Sequence, residues 1–181
     1  MEPYMPVPVI SSVRKNICGK TTLLEKLIPE LKRRGYRVGI LKHDIHGFDI
    51  DHEGKDTFRH KAAGADTVAI SCPWKMSVIK DIAEELTPQQ IVAQYFEDVD
   101  IVLTEGYKRA ELPQVEVFRK AAHHQPIHTK GQPKTLIALM SDVPLDLGVP
   151  QMDINDFKAL ADLIENKFLH RRCGKIGSRS F

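Results

Sequence analysis

A chain of 181 residues is long enough to bury a hydrophobic core without disulfide or metal staples. Its formal net charge of +2 hides an asymmetry, because four basic residues lie in the last eleven positions and leave 22 basic against 24 acidic residues elsewhere. A slightly acidic body lacks the basic face of a nucleic-acid binder, so we expect no nucleic-acid partner. Three widely spaced cysteines, no signal peptide and no apolar run of bilayer length predict a cytoplasmic protein without a membrane segment.

The first predicted element is a strand over Val9 to Val13, which runs into Gly19-Lys20-Thr21-Thr22 and then a helix. Apolar residues recur at helical spacing from Leu23 to Leu31, and Gly35 is placed to end that helix in the left-handed conformation. A second strand over Arg37 to His43 follows. Strand, helix and strand in this order predict a parallel crossover.

In the middle of the chain, the sequence predicts a helix, two strands and another helix, in that order. A long polar segment leads to a short helix from Asp56 to Gly64, and strands are predicted over Thr67 to Cys72 and Met76 to Ile79. The next helix begins at Thr87-Pro88 with the residues of a capping box. Its predicted buried face consists of Ile91, Val92, Tyr95 and Phe96.

The second half of the chain predicts three strands and a last helix. Ile101 to Leu103 is apolar throughout and ends near Glu105, as a strand covered on both faces does. Val115 to Phe118 alternates polar and apolar residues, so we expect an edge strand there. Leu136 to Met140 reads as a buried strand, and Asp153 to Phe168 has the periodicity of an amphipathic helix.

These elements predict an α/β fold with three layers, similar to the P-loop NTPases. We expect a mostly parallel sheet with helices on both faces and an antiparallel edge. Residues 1–169 are predicted to form one nucleotide-binding domain, and residues 170–181 a basic, disordered tail.

A phosphate-binding loop is predicted between the first strand and the first helix. The pattern Gly-x-x-x-x-Gly-Lys-Ser/Thr makes backbone amides and a helix N-terminus converge on phosphate oxygens. Its second half is present, while Arg14 occupies the position of the first glycine. Lys20 is predicted to neutralise the β and γ phosphates, and Thr21 to offer its hydroxyl to Mg²⁺. The predicted nucleotide-binding residues of this loop are Cys18, Gly19, Lys20, Thr21 and Thr22.

Two acids after buried strands are the predicted supports of this loop. Glu105 has the position of the acid that holds Mg²⁺ opposite the loop hydroxyl, with a solvated strand-end acid as the alternative. The Asn-Lys-x-Asp signature for guanine is absent from the sequence. Asp142 is the available substitute, because its carboxylate can accept from N1 and the 2-amino group of guanine. A simple turn aspartate before Pro144 is the alternative.

The segment from His43 to His60 is rich in side chains that bind metals or phosphates. We interpret it as a switch or substrate loop, with a plain solvated loop and a zinc site as alternatives. Its candidate residues are His43, Asp44, His46, Asp49, Asp51, Lys55 and Asp56. Three further histidines occupy a polar connection and are expected to be exposed, namely His123, His124 and His128.

Several sequence blocks, in this order, resemble the molybdopterin-guanine dinucleotide biosynthesis protein B (MobB) family over about residues 7 to 169. The blocks are Gly19-Lys20-Thr21-Thr22-Leu23, Leu27-Ile28-Pro29, Leu41-Lys42-His43 with His46, Asp49 and Asp51, Gly54-Lys55-Asp56, Ala63-Gly64-Ala65, Thr104-Glu105-Gly106-Tyr107-Lys108 and Ser141-Asp142-Val143-Pro144. The resemblance implies a homodimeric accessory protein that binds GTP and Mg²⁺ and has weak GTPase activity. It also implies two partners: the molybdopterin guanylyltransferase MobA, which joins GMP to molybdopterin, and molybdopterin or its guanine dinucleotide.

Two other functions fit parts of the sequence. A P-loop kinase for a small molecule would need a basic lid, which Lys108, Arg109, Arg119 and Lys120 can supply. A metal-delivery protein would use the segment from His43 to His60. Since no residue in a clear sequence context resembles a catalytic base or an arginine finger, we expect hydrolysis to be slow.

Overall fold

The computed structural model describes residues 7–13, 20–107, 110–131 and 134–169. In chain order the elements are β1 (Val9–Val13), α1 (Lys20–Arg33), β2 (Val38–Lys42), α2 (Asp56–Ala62), β3 (Thr67–Cys72), β4 (Lys75–Lys80), α3 (Pro88–Tyr95), β5 (Ile101–Glu105), β6 (Gln114–Phe118), β7 (Leu136–Ser141), β8 (Gln151–Asp153) and α4 (Phe157–Phe168). The predicted tail over residues 170–181 lies outside the described residues. Among the described residues, no helix is long and apolar enough to cross a membrane.

The chain divides into two compact units. The first unit contains residues 1–43 and 88–181, and the second contains Asp44–Thr87. The first holds a six-stranded sheet in the order β2-β5-β1-β6-β7-β8, and the second holds the two-stranded sheet β3-β4.

Every strand pair of the six-stranded sheet is parallel. Parallel strands need crossovers, and α1, α3 and α4 lie in the connections between or after them. β1 is central, since it pairs with β5 on one side and with β6 on the other. Because all six strands point the same way, their carboxyl ends meet at one edge, and the mostly parallel α/β fold is confirmed.

The two faces of the sheet are covered separately, as the three-layer prediction requires. On one face, leucines of α1 and residues of α4 pack over inward-facing strand residues in a single apolar cluster. On the other face, Phe118 and Leu139 pack with Leu147. Phe96, which directly follows α3, lies against Gly39 so closely that a Cβ built on Gly39 would be 2.4 Å from its ring. Since neighbouring Val38 belongs to the α1 cluster, Phe96 covers the opposite face.

The prediction of an edge strand over Val115 to Phe118 was wrong. β6 lies between β1 and β7, and all five of its residues are buried. Its polar residues are buried because the protein satisfies them internally: Glu116 accepts three hydrogen bonds, and Gln114 Nε2 donates to the carbonyl of Ala110 at 3.3 Å. The true edge strands are β2 and β8.

Three further features also differ from the sequence prediction. The short edge strand β8 was not predicted, and its residues include Asp153, which had been assigned to the last helix. That helix instead begins at Phe157, after Asp156, whose carboxylate accepts from the amide of Ala159 at 3.0 Å as an N-cap. Tyr95, predicted to be buried, is 55% exposed.

The second unit contains α2 and the antiparallel β3-β4 hairpin. Gly64 takes a φ of +105° just beyond the C-cap residue Ala63, and the amide of Ala65 donates to the carbonyl of His60, which closes the helix. Lys61 then joins this end to the hairpin, because its Nζ donates to the carbonyl of Ala65 at 2.9 Å and to Asp81 at 2.5 Å. The antiparallel part of the fold is therefore this separate hairpin.

The end of α1 combines a glycine cap with a cluster of charges. Gly35 has a φ of +93°, as predicted, and the amide of Tyr36 donates to the carbonyl of Leu31 at 3.1 Å in a Schellman motif. Glu30 is only 5% exposed and accepts from Arg33 and Arg34 at 2.7 and 2.9 Å. Two residues of α4, Asp162 and Glu165, also bind Arg34, so the cluster ties α1 to α4.

We predict that this cluster makes the protein sensitive to acid. Hydrogen bonding to Arg33, and then to Arg34, lowers the pKa of Glu30 to about 2. A lowered folded-state pKa stabilises the fold above the unfolded pKa of about 4.3 and loses that stabilisation as the pH falls to about 2. Urea unfolding across this pH range should therefore show a steeper loss of stability for the wild type than for Glu30→Gln. Glu25→Gln, an exposed acid on the same helix, should behave like the wild type, and equal slopes for wild type and Glu30→Gln would contradict the prediction.

Candidate functional site

The candidate site lies at the edge of the sheet where the parallel strands end. β1 ends at Val13 and α1 begins at Lys20, so the strand and the helix predicted to flank the phosphate loop are confirmed. Residues 14–19, which include Cys18 and Gly19, lie outside the described residues, as do the side chains of Lys20 and Thr21. Thr22 is exposed on the first turn of α1.

Glu105 lies at the end of a central strand, beside the end of β1. It is the last residue of β5, is half-buried, and lies opposite Ser12 of β1 and Lys42 of β2 in the parallel register. Magnesium prefers carboxylate and hydroxyl oxygens, so a carboxylate one strand away from the end of β1 fits this ion. The predicted role of Glu105 is thus compatible with its position.

The central strands become polar as they approach this edge. Ser11 donates through Oγ to the carbonyl of Gly106 at 3.1 Å. The hydroxyls of Ser12 and Thr104 are buried and make no hydrogen bond with any described residue. A buried hydroxyl left unpaired costs about 1–3 kcal/mol, so these two groups call for a partner beyond the described residues.

Beyond Glu105 the backbone turns sharply against the end of β2. Gly106 has a φ of +105°, and a Cβ added to it would lie 3.0 Å from Cβ of His43. The amide of His43 donates to the carbonyl of Glu105 at 2.9 Å. Tyr107 then takes a φ of +48°, and it is the one non-glycine residue with positive φ among the described residues.

This turn stacks the ring of Tyr107 on that of His43. The ring centroids are 4.6 Å apart and the planes are inclined by 27°. A left-handed backbone costs an ordinary residue about 1–2 kcal/mol, whereas an aromatic pair contributes about 0.5–1.5 kcal/mol. The aromatic contact is therefore comparable in size with the cost of the left-handed backbone. The sequence analysis named His43 but did not single out Tyr107.

Asp142 lies on the other side of β1, directly after β7. Its Oδ1 accepts from the backbone amide of Lys120 at 2.8 Å, so it ties the chain after β6 to the end of β7. This contact is the one expected of a structural turn aspartate, and it leaves the second carboxylate oxygen for another donor. Lys120 and Arg119 are exposed, whereas Lys108 and Arg109 of the proposed basic lid lie outside the described residues.

The predicted loop residues after His43 belong to the second unit and make mainly local contacts. Asp44 Oδ1 accepts from the amide of His46 at 3.0 Å, and Asp51 Oδ1 accepts from the amide of His52 at 2.8 Å. Lys55 immediately precedes α2, and Asp56 is its first residue. The hydroxyl of Thr57 and then the amide of His52 lower the pKa of Asp51, which is therefore a carboxylate at neutral pH.

A cleft of about 230 Å³ opens beside this loop within the second unit. Its lining residues are Phe48, Asp49, Ile50, Asp51, Phe58, Lys61, Ala62 and Ile79. In the part of the chain that the structure describes, no three histidine, cysteine or acidic side chains converge as metal ligands would. The zinc-site alternative gains no support from these residues.

The sequence analysis missed a buried acid and histidine pair next to this edge. Glu116, which is 1% exposed and lies opposite Val13 in the sheet register, accepts from the amides of Ile127 and His128 at 2.6 and 3.1 Å. His128 Nδ1 lies 2.6 Å from the same carboxylate and is assigned as the protonated nitrogen. The expected exposure of His128 was therefore wrong, although His124 is exposed as predicted.

Comparison with known proteins decides the family. The family model for molybdopterin guanine dinucleotide synthesis protein B, MobB, matches residues 9–142. The chain is 38% identical over 161 residues to the molybdopterin-guanine dinucleotide biosynthesis adapter protein of Escherichia coli, covering 87% of this chain and 91% of that protein. It is 32% identical over 168 residues to the adapter protein of Haemophilus influenzae, covering 91% of each. The chain belongs to the MobB family.

The fold of this MobB-family chain agrees with solved structures. The crystal structure of Bacillus subtilis MobB is 27% identical, has a TM-score of 0.70 and covers 89% of this chain and 98% of its own. The family match over residues 9–142 includes the strand ends that carry Glu105 and Asp142, and it stops before β8 and α4.

We predict that Glu116 fixes the connection between β6 and β7 in this family member. Replacing the carboxylate by an amide in Glu116→Gln leaves buried donors facing an NH₂ group, which should lower the free energy of unfolding by about 2–4 kcal/mol. Urea denaturation measures the loss. Glu111→Gln removes an exposed acid from the preceding turn and should change stability by less than about 0.5 kcal/mol. A loss for Glu116→Gln as small as that of the control would show that the pair does not hold the connection.

Proposed function

We propose that this chain is a GTP-binding adapter in the biosynthesis of molybdopterin guanine dinucleotide. The observation that carries the proposal is the position of β1, which lies between β5 and β6 in the sheet and precedes the Gly19-Lys20-Thr21 segment in the chain, while Glu105 ends the neighbouring strand β5. Family membership supports the pathway, because the relatives in Escherichia coli and Haemophilus influenzae are named adapter proteins of this biosynthesis.

In this proposal, the residues of the loop and of the neighbouring strand divide the work of binding. Lys20 and the amides from Cys18 to Thr22 hold the phosphates, and Thr21 and Glu105 hold Mg²⁺. The ion would neutralise charge on the β and γ phosphates. Without a positioned base or arginine finger, phosphoryl transfer is slow, so we propose a weak GTPase whose main task is to hold nucleotide.

An adapter that holds GTP can supply the nucleotide to a partner enzyme that consumes it. We propose MobA, which joins GMP to molybdopterin, as that partner, and molybdopterin or its guanine dinucleotide as the second ligand. These proposals follow from the family resemblance, and the guanine preference is assigned to Asp142 on the β7 side of the site.

Calorimetric titration with GTP and ATP, with and without Mg²⁺, tests the nucleotide site. Lys20→Ala removes the cation at the phosphates, so triphosphate binding should weaken by about 2–4 kcal/mol for both nucleotides. Asp142→Asn keeps an oxygen for the amide of Lys120 but replaces the other acceptor by a donor. It should therefore lose the preference for GTP over ATP while phosphate binding remains.

Two controls make these titrations decisive. Lys26→Ala removes an exposed lysine from the same helix and should leave binding unchanged. Equal affinity of the wild type for GTP and ATP would defeat the role of Asp142 but not the phosphate site. Binding that is insensitive to Lys20→Ala would defeat the phosphate site itself.

We also propose that the chain forms a homodimer through its second unit. The β3-β4 hairpin exposes large apolar side chains, with Ile70, Trp74, Met76 and Val78 between 41% and 84% exposed. Ile70 and Val78 lie on opposite faces, since Val78 pairs with Ala69 in the register. A two-stranded sheet is marginal alone, and its apolar faces are what a second copy would cover.

Light scattering during size-exclusion chromatography should therefore give about twice the 20.5 kDa mass of the chain. The double variant Ile70→Lys/Val78→Lys places a charge on each face and should elute as a monomer, because burying unpaired charges is costly. Tyr95→Lys adds the same charge to an exposed aromatic position of the first unit and should remain dimeric. A wild type that is monomeric at every concentration would end this proposal.

A further inference from the structure

The second unit presents one tryptophan at the turn of its hairpin. Trp74 is the single tryptophan of the chain, and it is 84% exposed. It lies with Pro73 in the two-residue turn between β3 and β4, whose ends pair through Cys72 and Lys75. Proline fixes its own φ at about −65°, which stiffens the turn that carries the indole. A large aromatic side chain on a rigid support is the residue type that most often anchors a protein interface.

The same unit contains a cleft of a size that suits such a side chain. Its volume of about 230 Å³ is smaller than the roughly 300–1,000 Å³ of most small-molecule sites. An apolar cavity of about 150 Å³ holds a benzene ring, so this cleft has room for the two fused rings of an indole. Phe48 and Phe58 line it, and Ala62 contributes only a methyl group to its wall. The cleft is therefore matched to one large aromatic side chain.

Trp74 does not reach the cleft of its own chain. Ile79 lines the cleft, whereas Trp74 lies in the turn before β4, five residues earlier in the sequence. At about 3.4 Å per residue along an antiparallel strand, the two residues are separated by about 17 Å, which exceeds the length of a tryptophan side chain. The indole and the cleft of this protein can therefore meet only between two copies. Reciprocal insertion gives an isologous interface, which closes at two subunits.

The charges beside the indole and beside the cleft are complementary. Lys75 directly follows the tryptophan and is exposed, whereas Asp49 and Asp51 line the cleft. Lys61 also lines it, but its Nζ already donates to an acid of the same unit. A buried indole N–H needs an acceptor, and the exposed carboxylate of Asp49 is an acceptor at the cleft.

We propose that Trp74 of each copy inserts into the cleft of a second copy, between Phe48 and Phe58, and that this reciprocal contact is the anchor of the dimer. The inference rests on the homodimer of the proposed function and names the residues that hold it. All of these residues lie within Asp44–Thr87, apart from the strand ends of the nucleotide site. The cleft side of the predicted switch or substrate loop, with Asp49, thereby serves an interface.

Because the chain has a single tryptophan, its fluorescence reports this contact directly. As the full-length protein is concentrated from its monomeric to its dimeric range, the emission maximum should shift to shorter wavelength. Quenching by acrylamide should weaken over the same range, since the indole leaves water. Light scattering gives the dimer dissociation constant. Trp74→Ala should raise this constant about thirtyfold or more, the scale of an interface hot spot.

Substitutions in the cleft wall test the contact from the other side. Ala62→Phe adds a ring to the cleft at a position that is exposed in the single chain, and it should weaken the dimer as much as Trp74→Ala. Ala63→Phe places the same ring one residue outside the lining, so the dissociation constant should stay within about twofold. A mixture of the Trp74→Ala and Ala62→Phe chains restores one contact, an intact indole and an open cleft. The mixed dimer should therefore form at lower concentration than either variant alone.

Several outcomes would contradict the inference, and they differ in what else they remove. A dimer in which Trp74 stays as accessible to acrylamide as in the monomer would overturn the anchor and leave the homodimer standing. Equal effects of Ala62→Phe and Ala63→Phe, or a mixture that associates no more tightly than its components, would show that the indole lies outside the cleft. A wild type that is monomeric at every concentration would end both the anchor and the homodimer, whereas the GTP titrations judge the nucleotide site separately.

Discussion

The central position of β1 in the parallel sheet is the constraint on which the candidate site depends. β1 pairs with β5 on one side and with β6 on the other, so the chain leaves β1 between these two neighbouring strands. One side brings the carboxylate of Glu105 and the turn at Gly106, and the other brings the buried Glu116. The end of β1 is therefore held on both sides by its pairing with β5 and β6, and that register places Glu105 opposite Ser12 and Glu116 opposite Val13.

The same register explains why the core becomes polar near this edge. Ser11, Ser12 and Thr104 lie on the two central strands, where apolar residues would give a more stable sheet. Ser11 is used to hold the carbonyl of Gly106, which supports the strained turn that follows. The other two hydroxyls are buried without a partner among the described residues. These polar side chains therefore gather at the end of the sheet that adjoins the predicted phosphate loop.

The sequence predicted an element correctly where its local residue pattern matched the burial of that element in the fold. The apolar strand from Ile101 and the glycine that ends α1 were both placed correctly, because one depends on burial on two faces and the other on a positive φ. Glu116 shows the limit of such reasoning. An acid in an alternating strand looks exposed, and only the fold reveals that the amides of Ile127 and His128, eleven and twelve residues later, return to satisfy it.

The candidate site was predictable in its types of residue but less so in their arrangement. Glu105 and Asp142 were identified because acids after buried strands collect at one edge of a parallel sheet. Tyr107 was not, since its importance comes from a backbone angle that tyrosine seldom adopts and that no periodicity signals. The hydrogen bond between Asp142 and the amide of Lys120 could not be predicted either, because the two residues are 22 positions apart in the sequence.

The boundary between the two units falls directly after His43, one member of the ring pair. His43 is the last residue of the first unit, and Asp44 is the first residue of the second. The second unit exposes the apolar hairpin, which is the surface assigned to the proposed homodimer. His43 in turn is held by the carbonyl of Glu105 and by the ring of Tyr107. The first unit therefore ends at a residue whose main chain and ring are both held by the end of β5 and the turn that follows it.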